Sequence, residues 1–172
     1  MTSLDALNIQ IIPSSMDQAQ ELFTLINNAY LVESGNSEGS FKKEGSLRYN
    51  TIEEFLPIIE GSDVSVAIDK DTKEIVGCIY APTFIDDEKV KRLYFGPLAS
   101  KRRGVGKVLV QLAEKKALEE RCASIDIHVI NVRTDVLPWY QKNGYVIIGE
   151  KPYPRIDMCT RDVFFYVLRK EV

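Results

Sequence analysis

The sequence contains a single histidine, His128, and three cysteines, and both scarcities exclude classes of protein. An H-E-x-x-H zinc site needs two histidines, so a zinc hydrolase of that kind is excluded. His128 lies between Ile127 and Val129 in a run typical of a strand, where a histidine is more often structural than catalytic. The cysteines are odd in number and form no C-x-x-C pair, which favours reduced thiols. We therefore expect neither a metal site nor a disulfide framework.

The sequence also lacks a long apolar segment and a strong excess of charge of one sign. No apolar run approaches the ~20 residues of a membrane-spanning helix, and the first residues do not resemble a secretory signal. We therefore expect a cytoplasmic or nuclear protein that does not bind membranes. The net charge of -3 argues against a nucleic-acid partner, since non-specific binding requires a broad basic surface. At 172 residues, 45% of them hydrophobic, the chain is expected to form one domain, residues 1–172.

A cluster of cations that includes two glycines, residues 101–107, precedes a helical pattern. The apolar residues that follow recur at the spacing of one helix face: Val105, Val108, Leu109, Leu112, Ala113 and Ala117. Each cation at the positive end of a helix dipole costs about 0.3–1 kcal/mol. Glycines at this turn let backbone N–H groups approach a phosphate. The pattern predicts a pyrophosphate-binding turn, and a merely solvated basic turn is the alternative that these residues leave open.

Two common phosphate-binding motifs do not fit this turn. A P-loop needs a glycine where Lys101 stands and a Ser or Thr where Val108 stands. A dinucleotide-binding fingerprint needs a third glycine where Leu109 stands. The ligand is therefore predicted to be a nucleotide-bearing cofactor of another kind.

The rest of the chain alternates between strand and helix patterns. Strands are predicted at residues 7–12, 63–69, 74–81, 90–98, 124–132, 145–149 and 163–168, helices at 16–32, 105–117 and 135–142, a short helix after a Thr51/Glu54 capping box, and a polar loop at 33–48. The strands at 63–98 are predicted to form an antiparallel meander. The strand, helix and strand from residue 90 to 132 form a crossover that makes two neighbouring strands parallel. The predicted fold class is α/β, a mixed, mostly antiparallel twisted sheet with a central parallel strand pair and flanking helices.

A second motif follows the glycine turn at a fitting distance. The turn Arg103-Gly104-Val105-Gly106 is followed by the segment Trp139-Tyr140-Gln141-Lys142-Asn143-Gly144-Tyr145. This order and spacing resemble the GCN5-related N-acetyltransferases, which carry a Q/R-x-x-G-x-G/A turn for the acetyl-CoA pyrophosphate and then an aromatic-Tyr-x-x-x-Gly-aromatic segment. The resemblance covers roughly residues 75–154. Lys101 departs from it, because the family has Gln or Arg at that position.

The resemblance implies that acetyl-CoA is the acetyl donor and that named residues bind it. The implied cofactor-binding residues are Leu98, Ala99, Ser100, Lys101, Arg102, Arg103, Gly104, Val105, Gly106, Lys107, Asn131 and Arg133. Within this set, Leu98 to Ser100 are the strand end whose backbone groups pair with the cofactor. An alternative register places that strand end nearer Phe95 and Gly96. Arg133 has the alternative of pairing with Asp135.

Catalytic roles are also implied. Tyr140 matches the family's general acid, and a phenol is protonated at neutral pH. Its alternative is to pack beside Trp139 with no role in catalysis. A carboxylate is one group that can take the proton of an amine, and Glu33 and Glu88 are the candidates for this general base. Each has the alternative of being a solvated surface group.

The function implied is transfer of an acetyl group from acetyl-CoA to a primary amine by direct attack. The acceptor is either a small molecule or a peptide or protein, because the loop at 33–48 carries charges of both signs and selects neither. Two other hypotheses remain: a CoA-binding regulatory protein with little turnover, and a protein-interaction domain on the same scaffold. No motif indicates the oligomeric state.

Overall fold

The structure, a computed structural model, describes residues 4–31, 41–43 and 46–172. The helices are α1 (Ala19–Leu31), α2 (Leu56–Glu60), α3 (Val105–Glu119) and α4 (Leu137–Lys142), and short 3-10 turns lie at Met16–Gln18 and Ile156–Met158. The strands are β1 (Ile9–Pro13), β2 (Val64–Asp69), β3 (Ile75–Tyr80), β4 (Thr83–Ile85), β5 (Lys91–Tyr94), β6 (Leu98–Ser100), β7 (Ser124–Ile130), β8 (Val146–Pro152) and β9 (Phe164–Glu171). None of the described helices has the length and apolar character needed to cross a membrane.

The strands form two sheets that share a crossover helix. The first sheet has the order β1-β2-β3-β6 and is antiparallel throughout. The second has the order β4-β5-β7-β9-β8, and its single parallel pair is β5 with β7, where Leu93 lies opposite Ile125. Helix α3 connects the two sheets, as the predicted crossover requires. The predicted mixed, mostly antiparallel α/β fold with a central parallel pair is confirmed.

Helices cover both faces of the first sheet. On one face α3 buries its apolar stripe in a core cluster that also contains Val76, Ile79 and Leu93. On the other face α1 and α2 enclose a second cluster with Val66 and Ile75 of β2 and β3. Successive strand residues point to opposite faces, so each of these strands contributes to both clusters and reads as an almost continuous apolar run.

Three sequence predictions differ from the structure. The single strand predicted at 90–98 is two strands, β5 and β6, which belong to different sheets. Strand β6, not β5, completes the predicted antiparallel meander with β2 and β3. The capping box did not form, because α2 begins only at Leu56 and Glu54 accepts a hydrogen bond from the N–H of Asn50 instead. Strand β4 was not predicted, and most of the predicted loop at 33–48 lies outside the described residues.

The contact between β3 and α3 predicts a specific sensitivity at Gly77. A Cβ atom on Gly77 would lie 2.8 Å from Cγ1 of Val105 and 3.0 Å from the carbonyl oxygen of Ala99. We expect Gly77→Ala to lower the free energy of unfolding by about 1–3 kcal/mol, because this site has no room for a methyl group. The control is Gly149→Ala in β8, where nothing lies within 4 Å of the added atom. Urea denaturation measures both, and equal stability of the two variants would contradict the packing.

Candidate active site

The two sheets separate at a break in the chain between β5 and β6. Gly96 lies in this break with φ +140, a conformation that side chains rarely adopt, and a Cβ there would lie 3.1 Å from the phenol oxygen of Tyr94. Before the break, β5 pairs with β7; after it, β6 pairs only with β3. A gap therefore opens between β6 and β7 at the point where the crossover leaves the sheet.

The backbone of β6 presents polar groups to this gap. The N–H of Lys101 donates to the carbonyl oxygen of Val76 in β3, 2.9 Å away. Because hydrogen-bond partners alternate along an antiparallel strand, the polar backbone groups of Leu98 and Ser100 point away from β3. The N–H of Leu98 accordingly donates to the phenol oxygen of Tyr30, 3.3 Å away across the gap.

Two adjoining cavities occupy the gap. The inner cavity has a volume of about 320 Å³ and reaches Tyr30, His128 and Phe165. The outer cavity has a volume of about 310 Å³ and reaches the glycine turn. Both are lined by Leu98, Ser100, Gly106, Val136 and Tyr140, so they form one continuous groove past the edge of β6. We call this groove the β6 groove.

The glycine turn forms the outer end of the β6 groove. Gly104 caps α3 in the left-handed conformation, with φ 92, which a glycine adopts without strain. The first α-helical bond joins the N–H of Val108 to the carbonyl of Gly104. The amides of Gly106 and Lys107 therefore have no partner within the helix. No acidic residue stands in the first turn of α3.

The four cations of the turn have different positions. Arg103 and Lys107 are exposed and line the outer cavity. Arg102 also lines it, but its guanidinium is bound by the carboxylate of Asp69 and by the carbonyl of Leu7. Lys101 and the buried Val105 line neither cavity. The turn thus directs two unengaged positive charges at the groove, rather than the four that the sequence suggests.

Tyr140 lies where the inner and outer cavities meet. Its ring is held by Phe95, Trp139 and Tyr145, with ring centroids 6.2, 5.0 and 5.5 Å away. Burial raises the pKa of the Tyr140 phenol well above its ordinary value, and the nearby charge of Arg133 opposes that shift. The phenol is therefore neutral and able to donate a hydrogen bond over the whole physiological range.

Asn131 and Arg133 follow β7 and make local contacts. The side chain of Asn131 accepts a hydrogen bond from the N–H of Phe164, and Asn131 lines neither cavity. Arg133 does line the inner cavity. Its guanidinium donates to both carboxylate oxygens of Asp135 at 2.9 and 3.0 Å, which is the alternative that the sequence left open.

Of the two carboxylates predicted as general bases, Glu88 does not line the groove. Glu88 lies in the turn between β4 and β5, is 80% exposed, and faces Arg92 at 3.8 Å. It lines neither cavity, because that turn lies at the far end of β5 from the break. Glu33 lies outside the described residues.

The residue that the sequence reasoning passed over is His128. It lines the inner cavity from β7, with its ring 5.1 Å from that of Tyr94 and 5.6 Å from that of Phe165. Burial lowers the pKa of His128; the charge of Lys151 lowers it further, and Asp126 opposes the shift. The imidazole is therefore neutral at neutral pH and able to accept a proton.

His128 and Tyr140 approach the groove from opposite faces of the sheet. The ring of His128 contacts Tyr94, while the ring of Tyr140 contacts the next residue, Phe95. Successive residues of an extended strand point to opposite faces, so the two rings reach the inner cavity from different sides of that strand. In the sequence, the one indication that His128 lies near the groove was its position in the first strand after the cationic turn and its helix.

Because the chain has one histidine, the lowered pKa of His128 is directly measurable. We expect an NMR titration of its ring protons to give a pKa below the ordinary value near 6.5. Lys151→Gln is expected to raise that pKa, since it removes a positive charge that disfavours the imidazolium. Lys89→Gln, in the turn between β4 and β5, is the control. A pKa at or above 6.5 would contradict the burial of the imidazole, and equal values in both variants would contradict the influence of Lys151.

The sequence and the fold were compared with known proteins. A profile described as the acetyltransferase (GNAT) family matches residues 26–145. Similar solved structures include the NatC complex bound to Gag peptide and CoA (20% identity, TM-score 0.70, 96% of this chain and 99% of that one). They also include Arabidopsis thaliana Naa50 with the bisubstrate analogue CoA-Ac-MVNAL (19%, 0.68, 96% and 99%) and a putative phosphinothricin N-acetyltransferase (16%, 0.73, 95% and 98%).

A comparison with curated proteins gave no significant match. At these identities the solved structures show a shared fold. The family profile, by contrast, spans the glycine turn, the crossover and the segment around Tyr140, which together build the β6 groove. The chain belongs to the acetyltransferase (GNAT) family.

Proposed function

We propose that this protein is an N-acetyltransferase that moves the acetyl group of acetyl-CoA to a primary amine by direct attack. The observation that carries the proposal is the β6 groove, which connects a cationic helix N-terminus to a neutral histidine on one face of the sheet and a neutral tyrosine on the other. Membership of the GNAT family supports the same reaction. The similar structures include complexes with CoA and with peptides, and a protein described as a phosphinothricin N-acetyltransferase, so both acceptor classes occur on this fold.

The residues present fit acetyl-CoA as the acetyl donor. The amides of Gly106 and Lys107, with the side chains of Arg103 and Lys107, are suited to a pyrophosphate because donors and positive charge converge there. The carbonyl oxygen of Leu98 and the backbone N–H and carbonyl of Ser100 are suited to the amide groups of an extended pantetheine chain, while the N–H of Leu98 donates to Tyr30. We assign Arg102 to holding the turn against Asp69.

In the proposed reaction His128 acts as the general base. An amine nitrogen in the inner cavity attacks the thioester carbonyl carbon, a nitrogen–carbon bond forms, and the carbon–sulfur bond breaks with its electron pair on sulfur. The proton of the amine passes to the imidazole of His128, directly or through one water. Among the described residues no carboxylate lines the inner cavity, so we assign the role of general base to His128, which does line it.

Two tyrosines stabilise the charge that develops in this reaction. The hydroxyl of Tyr30 accepts from the N–H of Leu98, so its own proton is available to the carbonyl oxygen as that oxygen becomes negative. Tyr140 donates a hydrogen bond to the departing sulfur. Its raised pKa lies above the ~8.5 of a thiol, so complete proton transfer is unfavourable at equilibrium. Any proton that it gives to sulfur is replaced from solvent, and the products are the N-acetylated amine and CoA.

The cofactor assignment predicts unequal effects of two neighbouring cations. We expect Arg103→Gln to weaken acetyl-CoA binding by about 10-fold or more, because a charge-assisted hydrogen bond contributes ~1.5–3 kcal/mol. Lys101→Gln is the matched control, since Lys101 does not line the groove. Gly104→Asp is expected to abolish binding by bulk and charge. Calorimetric titration with acetyl-CoA measures all three, and no binding by the folded wild type would overturn the proposal.

The catalytic assignment predicts a change in the pH profile. We expect His128→Gln to lower kcat by about 10²–10⁴-fold at pH 7, with acetyl-CoA affinity retained. The wild-type kcat/KM should rise with pH through the pKa of His128, below 6.5, and the variant should lose that inflection. Tyr140→Phe keeps the ring and is expected to lower kcat alone. The assay measures CoA release with whichever amine reacts fastest among amino acids, their amides and a tripeptide. An unchanged pH profile in His128→Gln would remove His128 from the mechanism.

A further inference from the structure

The face of the inner cavity that holds His128 also holds a fixed guanidinium. Arg48 lines the cavity and lies over the ring of Tyr30, with its central carbon 4.0 Å from the ring centroid. The Nε atom of Arg48 is shielded from solvent. Tyr30 in turn contacts the N–H of Leu98, so a single aromatic ring separates Arg48 from the strand beside which the thioester is proposed to lie. We call Tyr30, Arg48, Tyr94, His128 and Phe165 the acceptor side.

The acceptor side contains a cationic side chain and, among the described residues, no carboxylate. The charged residues that line the inner cavity are Arg48 and Arg133, and neither Asp nor Glu lines it in the described part of the chain. Burial raises the pKa of Tyr94 to about 12, and the charge of Arg48 opposes that rise. The charge of Lys151 acts in the same sense on His128. Two different cations thus act on the two titratable groups that an incoming amine meets.

The guanidinium of Arg48 discriminates between classes of amine. A polyamine or a lysine-rich segment brings additional positive charge and is repelled. An amine that also carries a carboxylate gains a charge-assisted, two-pronged contact with a guanidinium. A guanidinium has five N–H donors, so Arg48 can bind such a carboxylate whatever else its side chain contacts. The positive charge of Arg48 also favours the uncharged form of the amine, which is the form that attacks.

We propose that the acceptor is a small amino acid-like molecule whose carboxylate is bound by Arg48 and whose amine is directed to His128. This inference rests on the proposed acetyl transfer and names its substrate class. The inner cavity of about 320 Å³ also has to take the thioester end of the cofactor, so the space left for the acceptor suits one amino acid rather than several residues of a peptide. Phe165 and Ala29 supply apolar contact for a side chain. The product is an N-acetylamino acid.

Amino acids and their carboxamides test the role of the carboxylate. The two have the same amine and side chain, but the carboxamide lacks the negative charge. We expect kcat/KM of the wild type to be at least about 10-fold higher for the acid, across a panel of the common L-amino acids. The α-amino pKa of an amide, near 7.7–8.0 as at a peptide N-terminus, leaves more uncharged amine at pH 7, so a preference for the acid cannot come from amine reactivity.

Variants of Arg48 assign the preference to this residue. Arg48→Gln is expected to bring the acid-to-amide ratio close to one, and Arg48→Lys, which keeps the charge without the planar geometry, to retain part of it. A merely structural role for Arg48 would lower both rates together and leave the ratio unchanged, which would overturn the proposal.

Calorimetric titration with acetyl-CoA distinguishes a failure of the proposed function from a failure of the proposed acceptor class. If acetyl-CoA does not bind the folded protein, the proposed function itself is wrong. If acetyl-CoA binds and no amino acid is acetylated, or the amides or a tripeptide with a free N-terminus are preferred, the proposed function stands and the amino acid acceptor is wrong. Binding together with turnover of amino acids over their amides is the supporting result.

Discussion

The break between β5 and β6 is the constraint on which the rest of the site depends. A strand that continued straight through Gly96 would pair with β7 along its whole length and close the sheet. Because the chain turns at Gly96, β6 stays with β3 while β7 stays with β5 and β9. The polar groups of Leu98 and Ser100 are then exposed beside a groove in the middle of the molecule. An opening of this kind offers a ligand a strand to pair with at no cost to either sheet.

The same break places the reactive groups on two faces of one sheet. Tyr94 and Phe95 are consecutive, so they direct His128 and Tyr140 to opposite ends of the same opening. Acyl transfer requires a group at each end of the reacting bonds, because a proton leaves the nucleophile on one side and negative charge appears on the leaving group on the other. Burial acts on both groups in the useful sense: it keeps the imidazole unprotonated and the phenol protonated. Two neutral groups in one groove therefore suit the opposite roles that we propose for them.

Many features of the fold and the site follow from the sequence because they are local. The apolar face of α3, the glycine turn before it and the parallel pair β5 and β7 rest on periodicity and on the handedness of a crossover. The position of Tyr140 beside the groove followed from the motif around it. Contacts that the sequence did not predict depend on distant partners: Arg102 is held by Asp69, Asn131 by Phe164, and Glu88 stands at the far end of its strand.

By itself the sequence determined most of the order of strands and helices, the cationic turn and the absence of a two-histidine metal site, since these need only the identity and spacing of neighbours. Only the tertiary structure decided which groups share the groove. His128 is surrounded by apolar residues in the sequence, and only the gap between β6 and β7 turns it from a core histidine into a neutral base facing a cavity. Arg48 is a loop residue in the sequence, and packing over Tyr30 places its side chain in the lining of the same cavity. Long-range packing sets both environments, and no local pattern encodes it.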